Sequence, residues 1–186
     1  MSSYKKIEKK ISQDMPLLSS DIPDIDLYMD QVIQLFDSKF NDSLRYKEDK
    51  VLTKTMINNY AKGKLLFPIK NKKYSKEHIM LISLIYQLKG TLSINDIKTT
   101  LDPLKDKNPS IHLEDFYSLV VEEQENYKKD VLASIDVIEK NLEATSMDEL
   151  HKKLLLIATL ANISNLYRRA VEFLVDDLPQ KKEEKE

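Results

Sequence analysis

The chain has no cysteine and only two glycines, Gly63 and Gly90. Without cysteine there is no disulfide, no thiolate metal site and no thiol nucleophile. Glycine this scarce argues against turn-rich β folds and glycine-rich phosphate loops, and in favour of helices. Long apolar runs are missing too. The longest, residues 154–163, includes Thr159 and Asn162 and is too short to span a bilayer. The opening MSSYKKIEKKISQDMP has lysines but no apolar segment of the signal-peptide kind. Catalysis finds little footing either. His78, His112 and His151 lie far apart, none at metal-ligand spacing from another. No P-loop, GxSxG, dinucleotide turn or EF-hand loop occurs. These absences predict a soluble, cytoplasmic, all-α protein that is not an enzyme, carries no metal or cofactor and has no membrane partner.

What is present is an uneven charge. The formal net charge is only −2, in a chain that is 32 % charged. Residues 50–76 nevertheless hold eight lysines and no acid, while residues 106–177 hold fifteen acids against eight lysines and arginines. One part is a cation and the other an anion. That split suggests a polyanion-binding head on an acidic body.

In chain order, residues 1–22 read as an N-terminal arm, ordered only if it docks. Asp24 is a plausible N-cap for a helix with Ile25, Met29, Val32, Phe36 and Phe40 on one stripe. A polar loop, 41–50, leads to a short helix over 53–62, capped by Thr53 and closed by Gly63. Residues 69–73 form a basic connector, and Ser75 caps a buried helix over 76–89. Ser93 with Asp96 makes a capping box, opening a helix with Ile94, Ile97 and Leu101 inward. The charged segment 105–109 is read as a boundary, so the head covers 23–104. Residues 110–178 form a long helical hairpin whose second helix opens on Ser146 to Glu149 as a capping box. Residues 179–186 are a charged tail.

The 53–62 helix carries the functional expectation. At about 100° per residue, Lys54, Thr55, Asn58, Asn59 and Lys62 fall on one arc, and Met56, Ile57, Tyr60 and Ala61 on the other. Asparagine can pair bidentately with adenine in the major groove, and lysine reaches guanine acceptors or phosphates. The candidate DNA-binding residues are therefore Thr53, Lys54, Thr55, Asn58, Asn59, Lys62 and Lys64. Lys70, Lys72 and Lys73 suit phosphate contacts. Tyr60 reads as a core ring first and a phosphate contact second.

Within this segment Ile57-Asn58-Asn59-Tyr60 is followed by Leu65-Leu66, Pro68, a basic stretch and Tyr74-Ser75-Lys76-Glu77. This order resembles the helix–turn–helix, winged-helix-like DNA-binding head of MerR-type regulators. Asn58 stands where that family has arginine, and Asn59 replaces one of its paired aromatics. The segment 69–73 lacks the wing glycine and is shorter, so it reads as a tight basic turn. Residues 24–104 are also similar to a bacterial family known only as a domain of unknown function. The MerR resemblance implies a transcription regulator that inserts 53–62 into the major groove of double-stranded DNA. The second hairpin helix is apolar over too much of its circumference for one partner to cover, which points to a homodimer through 110–178. Two alternatives stand beside this reading. One is a helical adaptor whose lysines bind an acidic protein, and the other is a small-molecule sensor with a pocket between the long helices.

Overall fold

The computed structural model describes residues 3–179 except 13–14, 47 and 107–109. Seven α-helices follow in order: α1 Ser3–Ser12, α2 Met29–Phe40, α3 Lys54–Lys62, α4 Lys76–Leu88, α5 Ile94–Leu101, α6 Leu113–Glu143 and α7 Glu149–Asp176. The fold is mostly helical but not wholly so. Two short strands, β1 Leu27–Tyr28 and β2 Lys73–Tyr74, pair antiparallel with Leu27 opposite Tyr74 and Tyr28 opposite Lys73.

That small sheet corrects the start of the second helix. Asp24 does not cap it, and Ile25 is 68 % exposed rather than part of its apolar stripe. Leu27 and Tyr28 are drawn into the ladder, so helix begins only at Met29. From there Val32, Phe36 and Phe40 are buried as their spacing requires. Phe40 stacks at 4.8 Å on Tyr86 of α4.

The centre of the molecule is α4, in which every residue from His78 to Ile85 is buried. A helix apolar on most sides needs neighbours all round, and α5, α6 and β2 pack against it. Each fully buried side chain here, such as Leu81 or Ile82, contributes about 1.5–3 kcal/mol. Ser93 Oγ accepts from Asp96 N at 3.2 Å and Ser93 N donates to Asp96 Oδ2 at 3.2 Å, so the α5 box forms as spaced. Ile94 is an exception to the stripe, at 47 % exposed.

The core takes in residues on both sides of 23–104. Leu17 is fully buried, and so is Tyr117 in α6. The Tyr117 hydroxyl donates to the Leu17 carbonyl at 2.5 Å and lies 2.9 Å from Ser83 Oγ, tying the arm, α4 and α6 together. Further out, α1 lies along α6, where Tyr4 N donates to both Glu139 carboxylate oxygens at 3.0 Å. Within the arm, α1 docks on α6 and Leu17 enters the core. Residues 107–109, inside the expected boundary, and the tail from residue 180 lie outside the described residues.

The long helices form the expected hairpin, with a different cap. Asp148, not Ser146, is the N-cap of α7, accepting at Oδ1 from Leu150 N (3.0 Å) and His151 N (3.1 Å). A carboxylate suits the positive end of a helix better than a hydroxyl does. Tyr127 and Val131 of α6 are 61 % and 47 % exposed. They line an open cleft of about 760 Å³ with Ile135 of α6 and Leu160, Ile163 and Tyr167 of α7. None of the helices among the described residues is long and apolar enough to cross a membrane.

Candidate nucleic-acid interface

The short helix divides as its spacing predicts. Lys54, Thr55, Asn58, Asn59 and Lys62 are exposed, Ile57 and Tyr60 are buried, and Met56 and Ala61 are half-buried. Thr53 caps it, its Oγ1 accepting from Met56 N at 3.2 Å. That hydroxyl is therefore committed to the helix end. Tyr60 is 4 % exposed, and burial raises its phenol pKa above the ordinary value, so the ring belongs to the core.

The C-terminus of α3 closes by a route other than the one its glycine suggests. Gly63 has φ −72°, and the left-handed residue is Lys64 at φ 57°. Lys64 N donates to Ala61 O at 3.1 Å and Leu65 N to Tyr60 O at 3.0 Å, the two bonds of a Schellman motif. Gly63 is needed for room instead. A Cβ there would lie 2.7 Å from Leu65 Cδ1.

The basic stretch after Pro68 is a tight turn. Lys73 N donates to Lys70 O at 3.0 Å, and Asn71 and Lys72 between them have φ 51° and 57°. Two positive values in a two-residue loop are those of a type I′ turn. Lys70 and Lys73 form a single antiparallel bridge across it, while β2 pairs on with β1 ahead of α2. Lys70, Asn71 and Lys72 are all exposed. The connection from α2 to α3 spans 41–53, longer than the roughly three- or four-residue turn of a tight helix–turn–helix unit.

Space adds acids that the linear count could not show. Lys54 Nζ lies 2.8 Å from Asp30 Oδ1 on α2. Lys76 is held by Asp24 at 3.2 Å and Glu114 at 2.8 Å, and hydrogen bonds to these carboxylates raise its pKa. Lys73 sits with its Nζ 5.4 Å from the Tyr28 ring centroid, on a tyrosine that is 55 % exposed. No ion pair is seen for Lys62, Lys64, Lys70 or Lys72 among the described residues.

The turn thus gathers Lys70, Lys72 and Lys73, and α3 presents Asn58, Asn59 and Lys62. Two exposed residues beside them, Tyr28 and Asn71, escaped sequence reasoning. Asn71 carried a signal, since asparagine tolerates the left-handed region and favours turns. Tyr28 carried none, because its place depends on pairing with Lys73, 45 residues further along the chain. The histidines hold local roles. His78 Nδ1 accepts from Ser75 N at 3.1 Å, and His151 Nδ1 lies 2.5 Å from Asp148. Among the described residues no cluster of His, Cys, Asp or Glu could hold a metal ion.

No curated protein and no solved structure matches the chain. Comparison with known families matches residues 17–120 to DUF1836, a domain of unknown function. The matched span starts at the buried Leu17 and ends just past the buried Tyr117, so it takes in most of the packed core and leaves out Val121 and Val175. It covers more than half of the 186 residues, and the chain belongs to the DUF1836 family.

Proposed function

We propose that the protein is a DNA-binding regulator with a MerR-like, winged-helix-like head. It reads duplex DNA with the exposed face of α3 and grips phosphates with the tight turn at 70–73. One observation carries this reading. Among the described residues the only non-glycines at positive φ are Lys64, Asn71 and Lys72, and all three lie in the candidate interface. A left-handed residue with a side chain costs roughly 1–2 kcal/mol per position, a cost glycine avoids. Exposed lysines kept at two such positions bury nothing in exchange. Their charge is what they offer, and they flank a helix face bearing Asn58 and Asn59. Strain retained where a charged surface converges is a mark of function.

The test is fluorescence anisotropy on labelled duplexes drawn from a random-sequence selection. Four phosphate contacts per head would give a log–log salt slope of about −0.9 per contact. Lys72→Ala should weaken all duplexes alike, whereas Asn58→Ala should relax the preference among them. A slope near zero sinks the reading. Co-purification of an acidic protein without DNA would support the adaptor in its place.

A further inference from the structure

Residues 50–76 contain no acid, yet the first lysine of α3 has a carboxylate beside it. Asp30, in the first turn of α2, places Oδ1 2.8 Å from Lys54 Nζ. An acid at that place suits the positive end of its own helix, which does not account for the reach to α3. The pair does little for the fold. Its side chains are 64 % and 68 % exposed, and an ion pair that open to water adds little stability. Val32 and Phe36 of α2 and Ile57 of α3 already share one core. Asp24 is used differently, since it and Glu114 both hold Lys76, whose side chain is only 28 % exposed. Asp30 is thus an acid set against the open face of α3.

We infer that Asp30 is a positioning residue, which withholds the Lys54 ammonium from phosphates and turns it to a guanine edge. The inference rests on the reading of α3 as the helix that enters the major groove. Lys54 is the first residue of α3, and a recognition helix meets base edges with its N-terminal residues. An ammonium has three N–H donors and no acceptor. One donor on Asp30 leaves two for the O6 and N7 acceptors of guanine. The anchored pair also carries no net charge, so it displaces no counterion from the backbone as a bare lysine does. Arbitrary duplex is held by phosphate contacts alone, and there Asp30 withholds one of them. Specificity is a difference of affinities, and this arrangement widens it from both sides.

Anisotropy titrations of the full chain on the selected duplex, its single-base variants and a scrambled duplex test this. Asp30→Asn should bind the scrambled duplex several-fold more tightly, with a log–log salt slope steeper by about 0.9 for one further contact. It should lose several-fold of preference for guanine at one position and keep the preference that Asn58 sets. Lys54→Gln should lose the same guanine preference without the gain on scrambled DNA. The double variant should match Lys54→Gln, because the effect of Asp30 acts through that lysine. Asp30→Asn should melt as the native chain does, its pair being exposed. A native chain that binds, with Asp30→Asn unchanged in slope and preference, overturns the inference and leaves the reading of α3 standing. A gain shared equally by every duplex overturns it too, as does a guanine preference that survives Lys54→Gln. No binding by any of these chains overturns both.

Discussion

His78 is the one histidine removed from water, at 7 % exposed among the described residues. Its Nδ1 accepts the Ser75 N–H, so the proton sits on Nε2, which donates to the Phe67 carbonyl at 3.2 Å. That links the start of α4 to the segment leading into the tight turn. Burial holds its pKa below the ordinary 6.5, against weaker opposing effects from the Phe67 carbonyl, Glu77 and Asp26. The folded state thus refuses a proton that the unfolded chain accepts. Stability is fully present above pH 6.5 and is lost as pH falls from there through the depressed folded value. Within that window the slope approaches about 1.4 kcal/mol per pH unit. Urea unfolding at pH 8 and pH 5.5 should show the loss, and His78→Gln should flatten the difference. The sequence showed that no metal spacing surrounds this histidine. It could not show that the ring is sealed in, because Phe67 and Ser75 meet it only in space.

At the scale of the element, α3 was legible because everything that defines it is local: Thr53 as cap, a two-sided pattern, a glycine at the end. The reason for that glycine was not legible. Position alone suggested a left-handed cap, whereas Gly63 makes room for Leu65 and Lys64 takes the left-handed place. The turn was half legible. A short basic connector was readable, but a two-residue strand pairing 27–28 with 73–74 leaves almost no periodic signal, and it displaced the expected start of α2. Glycine at the left-handed positions should relieve strain. Lys64→Gly and Lys72→Gly are each expected to raise the unfolding free energy by about 1 kcal/mol. Lys72→Gly should also weaken DNA binding. Denaturant melts paired with anisotropy check both. A Lys72→Gly variant that loses stability would show that the lysine is held there by packing.

At the scale of the whole molecule, the contrast of a basic head with an acidic body was readable from composition. The mixing of charges at the interface was not. Asp24 and Asp30 are far from the lysine run in sequence and beside it in the fold, so a linear count overstated the patch. The same blindness affected the edges of the core. Residues 105–109 look like a linker, yet Leu113, Tyr117 and Val121 beyond them pack into the same core as Leu17. Cutting at 23 and 104 would remove these four side chains and leave Ser83 without its tyrosine partner inside the protein. Losing four buried groups at about 2–5 kcal/mol each is comparable to the whole of the roughly 5–15 kcal/mol by which a domain is stable. A fragment 23–104 should therefore show no cooperative melt. A fragment 17–121 should melt cooperatively but below the full chain, since it still lacks Val175 of α7. Circular dichroism melts of the two fragments and the intact protein decide this. A cooperative 23–104 fragment would mean that the arm and α6 merely cover a core that is already complete.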